Sequence, residues 1–199
     1  VFKIIGDIAG PDLIPDLIAR IEGKDPSVRL NIIELLSRFN QPDVAQALER
    51  QLKDKNKMVR KAALEALVAM PGDRDIGLIC SLLADPELEV QARAVDLVVK
   101  LRHPDTMKHL VNVLKDESEF ARRSAVEVLN EIAEPSTIKA LLMALEDGDW
   151  WVRSRASDAL AKIGGPKVMD AVLQLVGDKN ENIRRSAIEI LNQTKDERA

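Results

Sequence analysis

An apolar residue followed by a basic or amide residue recurs every 31 positions along the chain, at Val28-Arg29, Val59-Arg60, Val90-Gln91, Ala121-Arg122, Val152-Arg153 and Ile183-Arg184. Four residues past each apolar member come Ile32, Ala63, Ala94, Ala125, Ala156 and Ala187, and seven past it Leu35, Ala66, Leu97, Val128, Ala159 and Ile190. Offsets of four and seven fall on one face of an α-helix, so each period predicts an amphipathic helix, called helix B. Alanine fills five of the six places in the first set. So small a side chain lets helices approach closely, which makes this face a helix contact rather than a cofactor pocket. Asp25, Asn56, Ser118, Asp149 and Asn180 mark its start, because a short polar side chain accepts a hydrogen bond from first-turn amides. The remaining unit has Glu87 in this place, and Asp85-Pro86 offers an alternative start with proline at the first helical position.

A second register opens with Pro11, Pro42, Pro104, Pro135 and Pro166, with Asp73 in the remaining slot. It leads into the columns Ile14, Ala45, Ile76, Met107, Ile138, Met169, then Leu17, Leu48, Ile79, Leu110, Leu141, Val172, then Ile21, Leu52, Leu83, Leu114, Leu145, Val176. Spacings of three, four and seven predict an amphipathic helix A of about three turns. Each unit is then helix A, turn, helix B, turn, and none can bury its apolar face alone. The units run 11–41, 42–72, 73–103, 104–134, 135–165 and 166–199, with 1–10 as the remnant of a preceding helix B. Val1 is in register with Ile32, and neither end shows the polar capping unit a stable array needs. The expectation is therefore a single solenoid that is a fragment of a longer chain, with uncapped ends that allow self-association.

Composition narrows the class. Hydrophobic residues make up 46% and charged residues 31%, which suits a packed core under a solvated surface. Aromatics are 3%, so the core must be aliphatic. A net charge of −4 opposes a general phosphate-binding surface, so nucleic acid is not an expected partner. The sole cysteine, Cys80, excludes an intrachain disulfide and fits a reducing compartment. With no run near 18 apolar residues, no membrane span is expected, and the cytoplasm is the expected location.

The pattern resembles HEAT repeats, in particular the short HEAT-like repeats named after phycobilisome lyases. The residues that carry the resemblance are Asp147-Gly148-Asp149-Trp150-Trp151-Val152-Arg153 and Asp178-Lys179-Asn180-Glu181-Asn182-Ile183-Arg184, with the Ala and Leu positions that follow. The resemblance implies an all-α fold, an α-solenoid of six antiparallel helix pairs forming a right-handed superhelix with helix B on the concave face. It also implies a ladder of turn Asp and Arg six residues later: Asp54/Arg60, Asp116/Arg122, Asp147/Arg153 and Asp178/Arg184. Gly23 before Arg29, and Gln91 after Asp85, depart from it, so the ladder is expected to be interrupted there. These arginines read as structural, since a buried turn needs its polar groups satisfied.

Two features of helix B are candidate binding elements. One acid per unit stands in a single column, Glu34, Glu65, Asp96, Glu127, Asp158 and Glu189. Cations four residues away, as in Lys61/Glu65, Arg123/Glu127, Arg185/Glu189, Glu34/Arg38, Asp96/Lys100 and Asp158/Lys162, would make it a self-paired surface. The other reading is a groove for a partly basic partner. Phe120 and Trp151 share a column in adjacent units, with Met58 in the same column and Trp150 beside Trp151. Helices packed about 10 Å apart would join Phe120 and Trp151 into one patch. Such a patch serves either as an interface hot spot or as cover for the preceding turn.

His103 and His109 are the only histidines and neither is followed by an acid, so no metal is expected. HEAT-like metal hydroxylases use repeated His-Glu pairs, which this chain lacks. Cys80 falls in a packing column with Ile18, Glu49, Val111, Leu142 and Leu173. There is no nucleotide-binding loop and no nucleophile elbow. The expected function is a non-catalytic protein-interaction scaffold or regulatory module without cofactor, whose partner is another protein. The alternative is a bilin-lyase-like subunit or another HEAT-like enzyme; a DNA glycosylase would need a basic concave face.

Overall fold

The turns before helix B are fastened by short side chains that accept hydrogen bonds from main-chain amides. In the computed structural model, which describes residues 10–23, 25–70, 72 and 74–194, the Asn56 amide donates to the Asp54 carboxylate at 2.7 Å. The Met58 amide then donates to the Asn56 side chain at 2.9 Å. The same relay runs Asp147, Asp149, Trp151 and Asp178, Asn180, Asn182. Asp25 caps its helix through the Ser27 amide. Ser118 occupies the cap position but makes no side-chain cap bond; its own amide is held by Asp116. In the third turn the Glu87 amide donates to Asp85 and the Glu87 carbonyl accepts the first helical bonds, so the helix starts after Glu87.

Twelve α-helices and no strand lie among the described residues, short helices alternating with longer ones. They are α1 (Ile14–Arg20) and α2 (Pro26–Leu36), α3 (Pro42–Gln51) and α4 (Lys57–Ala69), and α5 (Ile76–Ser81) and α6 (Leu88–Leu101). Then come α7 (Thr106–Val113) and α8 (Glu119–Ile132), α9 (Ile138–Ala144) and α10 (Trp150–Ile163), and α11 (Gly165–Leu175) and α12 (Glu181–Thr194). The odd-numbered helices correspond to helix A and are mostly shorter than the predicted three turns: α5 has 6 residues and α11 has 11. Short 3-10 turns at Pro11–Leu13, Leu82–Ala84 and Pro135–Thr137 supply part of the difference. Pro42 opens α3 directly, Pro104 precedes α7, and Pro166 is the second residue of α11. Asp73, and residues 1–9 with Val1, lie outside the described residues.

Helix B is followed by a positive-φ residue in three units, at Arg102 (φ 45°), Ala133 (φ 42°, ψ 50°, left-handed) and Gly164 (φ 58°, ψ −159°), spaced 31 apart. That position favours glycine, because a Cβ there crowds the carbonyl at about 1–2 kcal/mol. Only Gly164 meets the preference.

The chain divides into two compact units, Val1–Leu101 and Arg102–Ala199. The division falls in the turn where the sequence places a repeat boundary. In the first unit α1 packs on α2, α3 on α4 and α5 on α6, and the longer helices α2, α4 and α6 pack in series. In the second α7, α9 and α11 pack on α8, α10 and α12, which again form a series. The alanine column explains the close approach: Ala63, Ala94, Ala125, Ala156 and Ala187 are all fully buried. The helix A columns are buried as well, with Leu17, Met107 and Ile138 half-buried and Val176 exposed. No helix of the described residues is long and apolar enough to cross a membrane.

Candidate functional site

The ladder arginines fasten each turn to itself and, in three cases, to the next one. Nη1 donates to the carbonyl six residues back, Arg29 to Gly23 (2.6 Å), Arg60 to Asp54 (2.8 Å), Arg122 to Asp116 (2.9 Å), Arg153 to Asp147 (2.7 Å) and Arg184 to Asp178 (2.8 Å). The ion pairs run instead to the aspartate 25 residues ahead: Arg29–Asp54 at 2.7 Å, Arg60–Asp85 at 2.7 Å and Arg122–Asp147 at 2.8 Å. This corrects the expected pairing, in which each arginine met the carboxylate of its own turn. It also removes the expected interruption at Gly23, because the contact six residues back uses a main-chain oxygen that glycine supplies equally well. Gln91 keeps that contact too, Nε2 donating to the Asp85 carbonyl at 2.7 Å, but brings no charge.

Four of the six acids in the column, Glu65, Asp96, Glu127 and Asp158, are neutralised, though by different partners from those predicted. Arg93 of α6 reaches back to Glu65 of α4 at 3.1 Å and also holds Asp96 at 3.0 Å. Arg155 of α10 grips both oxygens of Glu127 of α8, at 2.9 and 2.8 Å, and lies 3.6 Å from Asp158. The cations four residues from the acids are engaged elsewhere. Lys61 pairs with Glu89 at 2.7 Å, Arg123 with Asp149 and Glu119, and Arg185 with Glu181 at 2.7 Å. Lys100 and Lys162 donate to the Val68 and Asn130 carbonyls near the end of the preceding helix B. A diagonal arginine from the neighbouring helix displaces the local pair because its planar fork can bind two oxygens at once. Glu34 and Glu189 remain exposed.

The second unit brings Phe120 and Trp151 into one braced array. The Arg123 guanidinium lies 5.3 Å from the Phe120 ring centre and Arg155 5.6 Å from that of Trp151, each a cation–π contact. Arg123 binds both oxygens of Asp149, which also accepts the Trp151 amide at 3.2 Å. Arg155 returns across to Glu127, so two rings, two arginines and two carboxylates tie α8 to α10. Arg123 holds the Asp149 carboxyl below its usual range, against the opposing effect of burial. Phe120 is 45% exposed and Trp150 66%, while Trp151 is half-buried. Met58, 47% exposed, stands on α4 in the first unit. Arg123, Arg155 and Asp149 were not singled out from the sequence as binding residues. The signal for them is a cation three or four residues past an aromatic on one helix.

Burial alone pushes the Cys80 thiol up to about 12. No group of three or more His, Cys, Asp or Glu placed to hold a metal occurs among the described residues.

A family model described as HEAT repeats matches residues 14–82, 76–154 and 138–199. Among solved structures, the chain is similar to a designed armadillo repeat protein in complex with the peptide (KR)4. The identity is 20%, the TM-score 0.52, and the match covers 92% of this chain and 99% of that one. It is also similar to a chain from the complex of Kap95p with RanGDP, at 19% identity and TM-score 0.66, covering 96% of this chain and 31% of that one. An engineered protein matches at 20% identity and TM-score 0.52, over 90% of this chain and 95% of that one. At such identities the likeness is one of fold. No curated protein matches.

Proposed function

The chain belongs to the HEAT-repeat family, and from that premise we propose that it is a non-catalytic interaction module whose helix B face in the second unit holds a protein partner. The observation that carries this reading is the braced array of Phe120, Arg123, Asp149, Trp151, Arg155 and Glu127. Exposed aromatic surface whose neighbours are already locked by ion pairs costs little side-chain entropy to bind, which is the character of an interface hot spot. The exposed Glu189 on α12, with Glu34 on α2, favours a partner that carries basic as well as apolar side chains. The designed armadillo protein in complex with a (KR)4 peptide offers a precedent for that chemistry on a related fold. Nucleic acid is disfavoured, because Arg93, Arg123, Arg155 and Arg185 on helix B are spent on carboxylates of the chain itself.

The test is affinity capture with the wild-type chain and with the double variant Phe120→Ala/Trp151→Ala, each checked by far-ultraviolet circular dichroism. Selective loss of captured proteins by the variant is expected. An unchanged set of captured proteins, with helicity retained, refutes the proposal.

A further inference from the structure

The end of α3 and the turn after it gather cations that the 31-residue pattern does not repeat. Arg50, Lys53 and Lys55 stand there, whereas the same three places hold Ser81, Ala84 and Pro86 in the third turn and Met143, Glu146 and Gly148 in the fifth. The fourth and sixth turns keep one lysine each, Lys115 and Lys179. The fold itself needs none of the three, because this turn is fastened by Asp54, Asn56 and Arg60. Gln51 breaks the pattern as well, standing in a column with Leu82, Val113, Ala144 and Leu175.

Gln51 is 5% exposed, and its side chain makes no hydrogen bond among the described residues. Neither atom of its amide is sealed from solvent. The residue lines an open depression of about 460 Å³ bounded by the first two turns, so the accessible remainder of the amide opens there. A buried amide without a partner costs stability that the leucine of a neighbouring unit does not, which calls for an explanation. Arg50, Lys53 and Lys55 border the same depression, with the pair Arg29–Asp54, neutralised at 2.7 Å, and Glu22. Glu22 is 3.8 Å from Arg50 and both side chains are exposed, a loose pair that a competing anion can open. Lys53 and Lys55 are exposed and form no ion pair among the described residues. Available cations and an unmatched amide thus border one hollow, in a chain whose net charge is −4.

We propose that this hollow binds a phosphate monoester. A phosphoryl group carries about two negative charges near neutral pH and three acceptor oxygens, which match several cations and an amide better than a carboxylate does. Arg50, Lys53 and Lys55 supply the opposing charge, and Gln51 Nε2 donates to a phosphoryl oxygen from the buried side. The body of the ester leaves through the open mouth. The site belongs wholly to the first unit and stands independently of the aromatic array.

Titration of the full chain with glycerol 3-phosphate and with a phosphoserine peptide, against glycerol and the unphosphorylated peptide, tests the site through the NMR signals of the Gln51 side-chain amide. Saturable shifts are expected for at least one phosphate ester and for neither control, and the tighter ester identifies the source of the group. Binding should weaken as sodium chloride is added. The double variant Lys53→Gln/Lys55→Gln should weaken it about tenfold, since charge-assisted bonds to the phosphoryl oxygens are lost. Gln51→Leu, which restores the residue type of the column, should keep the helical circular dichroism spectrum and weaken binding about fivefold, read from the Lys53 and Lys55 main-chain amides. Lys115→Gln, at the equivalent place two turns on, should change nothing. Absence of saturable shifts with both esters overturns the proposal, as do equal shifts with the unphosphorylated peptide. So does binding that is unchanged in the lysine double variant or in Gln51→Leu, or a loss in Lys115→Gln as large as theirs.

Discussion

Asp54, Asp85, Asp116, Asp147 and Asp178 are alike in the sequence, and the structure predicts that their replacement by alanine will split them into two energetic groups. Asp85 shows why. Its carboxylate accepts Arg60 Nε and Nη2, both at 2.7 Å, and the Glu87 amide at 3.0 Å, with 4% of its side chain exposed against 11% for Arg60. Asp85→Ala leaves two guanidinium donors in a nearly closed space, although Nη1 keeps the Asp54 and Lys55 carbonyls. Breaking a buried pair from one side costs about 3–5 kcal/mol. The residual exposure and the retained Nη1 bonds place the expected loss at the lower end, about 3 kcal/mol. Asp116, by contrast, accepts the Ser118 amide at 2.9 Å, so Asp116→Ala should cost about 1 kcal/mol, as for a lost cap. Asp178, bonded to the Asn180 amide, belongs with Asp116, and Asp54 and Asp147 belong with Asp85. Urea titrations followed by circular dichroism measure the differences, urea being preferred because guanidinium chloride screens ion pairs. Equal losses for Asp85→Ala and Asp116→Ala would show that the column serves only its own turn, and the account of the ladder given above would fail.

Ala133→Gly should stabilise the chain by about 1 kcal/mol by relieving the left-handed Cβ, read as a higher urea midpoint. Gly164→Ala should cost more, about 2 kcal/mol or above, because φ 58° with ψ −159° is a region essentially restricted to glycine, while an added Cβ meets nothing closer than the Ala161 carbonyl at 3.6 Å. Asp149 has a folded carboxyl held below its ordinary value of 3.8, so its stabilisation is complete above that value and is lost as pH falls further. Asp149→Asn should therefore be less stable at pH 6 and lose less stability between pH 5 and pH 3; parallel losses in urea midpoint would contradict this. Glu127→Ala should release Arg155 and loosen Trp151, lowering the tryptophan fluorescence anisotropy, while stability changes by no more than about 1 kcal/mol because the pair is partly exposed.

The columns of helices A and B were legible because burial repeats with a helical period inside each element. Ala63 to Ala187, or Leu48 to Leu141, needed no knowledge of neighbours. Partners across helices were less legible. The 31-residue spacing tells which residues are equivalent, but the ion pairs run 25 residues from Arg60 to Asp85 and 28 from Glu127 to Arg155, offsets set by how adjacent helices are staggered. Local arithmetic on one helix therefore paired Arg123 with Glu127, where the structure gives each a partner on the adjacent helix. The aromatics Phe120 and Trp151 were found from their shared column, while the arginines that fix them emerged only with the geometry.

The division of the chain at Leu101 and Arg102 separates its intrinsic reporters as well as its helices. The single cysteine, Cys80, is buried in the first unit, and both tryptophans, Trp150 and Trp151, are in the second. One denaturant series can then be followed by two unlabelled signals, thiol reactivity for the first three helix pairs and indole emission for the last three. The two midpoints then report the stability of each unit separately. The placement of three side chains thus makes the stability of each unit a quantity obtainable from the unmodified protein.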